Sequence, residues 1–517
     1  MNILTPAAST IKNNPGQPAI EPYETFLSDL KQRIFNVFHS RSDIDKLALT
    51  RGMPPFVLRE IMGAKPLTVA IPTRYGGRGG KTEEVLSLLS AASYESLALA
   101  LTFGINLALF IQPVAKYAQE LVKQPIFDRF IDHQQMGGLM ITEPGHGSDA
   151  LNMQTSYHDL GENYHLTGTK HWAGLTGWAE FWLLTAREKT QSGDLRRDID
   201  FFICDVNSPE QRIVVEEVYE NLGLYQIPYG RNKLDVMIPK EYRLTPHTTG
   251  VKMMLDLLHR SRLQFPGMAL GFIQRLLDES MQHVRERFIG GKSLMEYDQV
   301  QHRLSRLQAS YTICSAMCAN TSAIADLNAD LSARGFESNS IKTVATDLMH
   351  EAAQSATQLF GATAYRLDHI AGRSIVDSRP FQIFEGSNDI LYAQISESLI
   401  KMMKKTNESN LFSYLKSFDL TTRTSAMMRN LLDFNLNMHL PQRKLVELGQ
   451  ILSRIVSCEM VIKLGDTGFR EDLINNSLTI MQQEITTLMS GFKFNNQVAT
   501  IDNYHDNSSW LHYFKKG

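Results

Sequence analysis

The sequence predicts an α+β chain in which a β domain lies between two helical ones, and three observations carry that prediction. Apolar residues recur at helical spacing from Tyr23 to about Phe130, as in "YETFLSDLKQRIFNVF" and "EEVLSLLSAASYESLALALTF". After Gly138 the texture changes to short runs rich in β-branched and aromatic residues, "NYHLTGTKHWAG", "FWLLTARE", "DIDFFICDV", "RIVVEEVYE" and "NKLDVMIPKE", separated by polar turns. From Thr249 long helical patterns return, and four of them imply a bundle: two before Leu331, one running through Gln358 and one after Gly386.

Each unit follows from these shifts. Residues 1–135 are expected as an N-terminal helical domain, 136–247 as the β domain, 248–404 as the four-helix bundle and 405–517 as a helical extension. The extension opens in polar "KKTNESN" and returns to helix with Leu448, Leu452, Ile455 and Ile462 at spacings of 4, 3 and 7. Its lysines and acids are dispersed, so packing against the bundle is expected rather than membrane binding.

Composition narrows the class. A chain of 517 residues has room for two to four domains, and 43% apolar with 21% charged residues suits a folded globular protein. A net charge of -3 gives no general basic field for nucleic acid. The four cysteines form no CxxC pair, and Cys314 and Cys318, one helical turn apart, read as a packed face, so no metal site is expected. The apolar stretch Leu97 to Ile111 is shorter than the roughly 20 residues of a bilayer span and reads as a buried helix. The first residues lack the pattern of a secretory signal, and the expected location is the cytoplasm.

"YGGRGGKT", Tyr75 to Thr82, nearly matches a phosphate loop but has tyrosine where the opening glycine belongs, and no βαβ series follows; it reads as a glycine turn between helices. Chemistry gathers instead in "MITEPGHGSDA" from Met140, "GTKHWAG" from Gly168 and "FQIFEGSNDI" from Phe381. The first offers hydroxyls and exposed backbone N–H groups, or simply a capped turn. Trp172 offers a flat aromatic surface, or simply core. Glu385, behind Ile383 and Phe384, reads either as a first-turn acid of the helix that follows or as a desolvated carboxylate fit to be a base.

Together these segments resemble a family. "ITEPGHGSD" is similar to the T-E-P-x-x-G-S-D signature of acyl-CoA dehydrogenases and "FQIFEGSNDI" to their Y-Q-I-Y-E-G-T segment; "IPTRYGGRGG", "LTGTKHWAG" and "ATQLFGATAYR" match further segments in order. The resemblance covers residues 20 to 403 and implies a helical domain, a β-barrel-like middle domain and a four-helix bundle, with FAD between the last two and a second subunit completing the site. The expected reaction is removal of the proton α to a thioester carbonyl by Glu385 with hydride transfer to FAD, giving a trans-2-enoyl thioester. The substrate is an acyl-CoA or a carrier-bound acyl group, and the acceptor is electron-transfer flavoprotein or another. A homodimer or homotetramer is expected.

Residue by residue, the resemblance implies cofactor contacts for Ile141, Thr142, Gly147, Ser148, Trp172 and Gly174, and for Ser387, which replaces the usual threonine. Arg287, Gln358, Gly361 and Ala362 would reach the neighbouring subunit's FAD. Ser148, Arg262 and Gly386 would face the substrate. Some relatives carry the base immediately before the arginine that here corresponds to Arg262; this chain has Ser261 there, which favours Glu385. The threonine that usually meets the flavin is replaced by Gly174, which keeps an oxygen-using oxidase open beside the dehydrogenase. A weakly catalytic flavin-bearing nucleic-acid binder is the more distant alternative.

Overall fold

The computed structural model describes residues 20–494 and 498–514. The N-terminal helices include Tyr23–Phe35, Pro55–Met62, Thr82–Glu95, Leu97–Asn106 and Glu120–Asp132. The apolar helix is capped by the Ser96 hydroxyl, which accepts from the Leu99 N–H, and it continues through a π turn at Leu107–Ile111 into Gln112–Tyr117. Leu97–Tyr117 is long and apolar enough to cross a membrane, yet 94% of its most apolar window is buried inside the protein, so it is a core helix. Within it the buried Asn106 accepts from the Gly137 N–H at 2.7 Å, fastening the helix to the start of the first strand.

The glycine turn after Pro72 binds itself. The N–H groups of Arg78, Gly79 and Gly80 donate to the carbonyls of Thr68, Ile71 and Val69, so they are not available to a phosphate.

The middle domain holds β1 (Gly137–Met140), β2 (Ser156–Asp159), β3 (Asn163–Gly174), β4 (Phe181–Glu188), β5 (Asp200–Asp205), β6 (Val214–Val218) and β7 (Tyr229–Pro239). These form one curled sheet in the order β1-β4-β2-β3-β7-β6, with β5 on β4. β4 runs parallel to β1 and β2, and the other pairings are antiparallel. On β7 inward residues alternate with exposed ones, whereas Phe181 to Ala186 of β4 are all buried because β4 is covered on both faces.

The bundle comprises Gly250–Arg262 continuing into Phe265–Glu286, then Asp298–Ile324, Gly335–Phe360 and Asn388–Thr406. The last of these runs two residues past the boundary expected at 404. The C-terminal segment adds short helices and two long ones, Gln442–Asp466 and Glu471–Lys493. Leu448, Ile451, Leu452 and Ile455 are fully buried, and a side chain at Gly449 would meet the Tyr392 carbonyl at 2.0 Å, so the Gln442–Asp466 helix lies backbone to backbone on the bundle.

Candidate functional site

Between the curled sheet and the bundle lies a cavity of about 420 Å³. One wall is the segment 141–151 with the end of β3; the other is the Gly250–Arg262 helix with the loop before Asn388–Thr406; Leu101, Ile105 and Leu109 of the core helix close the apolar end. Nine of the residues expected at the site meet here: Ile141, Thr142, Gly147, Ser148, Trp172, Gly174, Arg262, Glu385 and Gly386.

On the bundle wall, Glu385 has φ +58° and Gly386 φ +88°, a left-handed pair in which the glutamate is unfavourable by itself. The loop is held from below. Arg262 Nε donates to the Glu385 carbonyl at 3.0 Å, its Nη1 donates to Asn339 at 2.8 Å, and Lys342 Nζ donates to the Gly386 carbonyl and to Asn388 Oδ1, both at 2.9 Å. The Ser261 hydroxyl donates to Glu385 Oε1 at 2.9 Å, while Oε2 is buried without a hydrogen-bond partner among the described residues. Burial pushes the Glu385 carboxyl above the usual carboxylate range, and Arg262, Ser261 and Lys342 offset only part of that rise. Burial, with Arg262 nearby, brings Lys342 down to about 7.

On the sheet wall, Trp172 sits where the β3–β7 register slips between His171 and Ala173. It too is left-handed, at φ +58°, and is 53% exposed, its ring 4.5 Å from that of Tyr219. This bulge takes Trp172 out of the sheet's side-chain alternation. Gly147 has no atom within 4 Å of the position a Cβ would take, and Ser148 is exposed. At Gly174 a Cβ would lie 2.7 Å from Ile105 Cδ1 and 3.3 Å from the Tyr229 ring, so Ile105 fills the space a side chain would need.

Beneath this wall is a pair that the motifs contain but whose role the sequence reading missed. Lys170, fully buried, donates to Glu143 at 2.8 Å, to the Ile141 carbonyl at 3.2 Å and to Thr185 at 3.0 Å, and Glu143 also accepts from the Thr155 N–H at 3.0 Å. Burial draws the Lys170 ammonium down to about 8, against the pull of Glu143. The pair locks the 141–155 segment to β3, and the His171 N–H adds a bond to the Thr142 carbonyl at 2.9 Å. The signal was a charged residue inside each motif, the glutamate after Thr142 and the lysine two before Trp172. In the sequence Ser261 stands out only as a non-carboxylate before Arg262, and nothing there signals its bond to Glu385.

The remaining expected residues lie outside this cavity. Ser387 precedes the Asn388–Thr406 helix without a side-chain capping bond. Arg287, Gln358, Gly361 and Ala362 are exposed at the ends of the Phe265–Glu286 and Gly335–Phe360 helices, where the rings of His283 and Phe360 meet with centroids 4.4 Å apart, tilted at 36°. Among the described residues no group of three metal-ligating side chains occurs.

Residues 138–236 match the family model of the acyl-CoA dehydrogenase middle domain, and residues 248–400 that of the C-terminal domain. An acyl-CoA dehydrogenase of Bacillus subtilis is 24% identical over 356 residues, 67% of this chain and 90% of the relative. Cyclohexane-1-carbonyl-CoA dehydrogenase of Geobacter metallireducens is 25% identical over 345 residues, 65% and 86% of the two chains. Among solved structures, butyryl-CoA dehydrogenase from Megasphaera elsdenii superposes with a TM-score of 0.63 at 19% identity, over 73% of this chain and 98% of the other. The acyl-CoA dehydrogenase complexed with FAD from Bacillus anthracis gives 0.74 at 17%, over 91% and 87%, a coverage that reaches into the C-terminal helices. From the middle domain through the bundle, this chain belongs to the acyl-CoA dehydrogenase family.

Proposed function

We propose that the protein is an FAD-dependent dehydrogenase of an acyl thioester, with Glu385 as the base that removes the α-proton. The observation that carries this reading is the free Glu385 Oε2, buried at the cavity while Ser261 occupies the other oxygen. A carboxylate held there is poorly solvated and raised in pKa, which strengthens it toward a weak carbon acid.

The residues fit the cofactor. The uncrowded Gly147, the exposed Ser148 hydroxyl and the open face of Trp172 make a cradle for a flat ring and an anionic tail, and no side chain at Gly174 intrudes. Bound there, FAD supplies the hydride acceptor. Ile141, Thr142 and Trp172 orient it, Glu385 takes the proton at Oε2, and Ser261 keeps the carboxylate turned toward the substrate. Among the described residues the Glu385 backbone N–H makes no backbone hydrogen bond, which leaves it to hold a thioester oxygen as negative charge develops there. The apolar end formed by Leu101, Ile105 and Leu109 excludes water.

The substrate class is an acyl-CoA or a carrier-bound acyl thioester, and the electron acceptor is electron-transfer flavoprotein or another acceptor. Arg287, Gln358, Gly361 and Ala362 are assigned to the cofactor of a second copy, so the working form is a homo-oligomer; the exposed Phe288 and Ile289 beside Arg287 suit burial in that contact. Gly174 favours one second reading, an oxidase, because no hydroxyl at that position faces the cofactor.

Mixing the flavin-loaded protein without oxygen against a panel of acyl-CoA esters and one acyl-carrier thioester tests the reading. Bleaching of the flavin by at least one thioester is expected, and an oxidised flavin throughout would refute it. Hydrogen peroxide formed stoichiometrically on admitting air would select the oxidase.

A further inference from the structure

The loop that presents Glu385 is tied down at both flanks by one carboxylate. Asp347, on the Gly335–Phe360 helix, accepts at Oδ1 from Gln382 Nε2 and from Asn388 Nδ2, each at 2.8 Å. Gln382 closes the turn before the loop and Asn388 opens the helix after it. Asn388 also accepts from Lys342 Nζ, which holds the Gly386 carbonyl, so Asp347 and Lys342 grip the same short segment.

A carboxylate so enclosed needs a cation, and that cation comes from outside the bundle. Arg454, in the middle of the Gln442–Asp466 helix, donates from Nη2 to Asp347 Oδ2 at 2.9 Å and from Nη1 to the Tyr392 hydroxyl, which itself donates to Asp347 Oδ2 at 2.5 Å. Among the described residues it is the cation that forms an ion pair with Asp347. Its Nε donates to Glu484 on the Glu471–Lys493 helix at 2.9 Å, so both long helices of the extension hold the guanidinium. Burial pushes the Asp347 carboxyl up, and Arg454 with the bonds from Tyr392 and Gln382 more than offsets it, keeping the group ionised.

Left-handed backbone at a glutamate persists only where its surroundings over-determine it. We propose that Arg454 is a positioning residue for the catalytic loop: through Asp347 it fixes Gln382 and Asn388, and with them the geometry of Glu385. The extension is then part of the site's framework, two side chains removed from the cavity. The catalytic half of this inference rests on Glu385 being the base; the structural half does not.

The test compares wild type, Arg454→Met and Arg454→Lys as full-length, flavin-loaded protein. Amide hydrogen exchange in a peptide spanning 379–392 should be about tenfold faster in Arg454→Met, because breaking a buried pair strands the remaining charge. Exchange in residues 156–174 should be unchanged, and Arg454→Lys, which keeps the charge without the fork, should fall between. The flavin-reduction rate with a saturating thioester should drop by about tenfold while the half-saturating concentration stays within about twofold, as for a residue that sets base geometry rather than substrate affinity. Unchanged exchange in 379–392, or an equal rise in 156–174, would overturn the proposal. If Arg454→Met does not fold, wild-type exchange and rate in Arg454→Lys would overturn it. If no thioester reduces the wild-type flavin, the catalytic reading fails by itself and the exchange comparison still decides the coupling.

Discussion

The two walls of the cavity are built on opposite plans. The bundle wall is crowded and polar beneath: Arg262, Lys342 and Ser261 hold the Glu385 loop, and one carboxylate oxygen is left without a partner. The sheet wall is pinned by one deep pair, Lys170 with Glu143, but at its surface a Cβ at Gly147 would meet no described atom within 4 Å, Ser148 is exposed and Trp172 is half open. If Glu385 is the base, as proposed, it must be fixed before the substrate arrives, because misplacement of a catalytic group is costly, and its wall is over-determined. A wall that receives a large flat cofactor has to stay open where the cofactor lies. Each wall contains a left-handed non-glycine residue facing the cavity: Glu385, held by Ser261 and Arg262, on one, and Trp172, at the register slip between β3 and β7, on the other.

The comparison can be broken first at Glu385. Glu385→Gln should bind flavin as before and lose about 10²- to 10⁴-fold in the rate of flavin reduction, the range for a general base. Stopped-flow absorbance on flavin-matched samples checks this.

Breaking the sheet wall should look different. Lys170→Met strands Glu143 in the interior and should destabilise the protein by about 3–5 kcal/mol, with loss of bound flavin. Pairing it with Glu143→Gln should recover much of that stability. Thermal unfolding and flavin content per chain measure both.

A finer comparison uses pH. As the proposed base, Glu385 would act when deprotonated, and its carboxyl is raised, so the rate of flavin reduction should climb with pH through that raised value and then level off. Ser261→Ala removes a hydrogen bond that favours the charged form, so the rising limb should move to higher pH. Trp172→Phe, the mildest change, should weaken flavin retention by about 1 kcal/mol through lost contact area and leave the pH limb where it was.

The large units were legible because their periodicities differ: a stripe at helical spacing cannot be mistaken for the alternation of β7. Glu385, Thr142 and Trp172 were legible because three motifs recur together in one family. The supports were not. Asp347 and Arg454 are 107 positions apart and each looks like an ordinary polar residue on a long helix; only the packing of the Gln442–Asp466 helix onto the bundle, with Gly449 against the Tyr392 backbone, brings them together. "HWAG" reads as uninterrupted strand, and the slip that exposes Trp172 is set by its pairing with β7. Gly174 reads as a lost hydroxyl, whereas the structure gives its cause in the Ile105 side chain that fills the space.

The central claim is that Glu385 moves the α-proton, and the most direct measurement is exchange of that hydrogen with solvent. A saturated acyl thioester is incubated in deuterated water with wild type or Glu385→Gln, both loaded with flavin, and the recovered ester is examined by mass spectrometry. The account predicts deuterium at the α-carbon with the wild type and none above background with Glu385→Gln. Equal incorporation by the two proteins would contradict it.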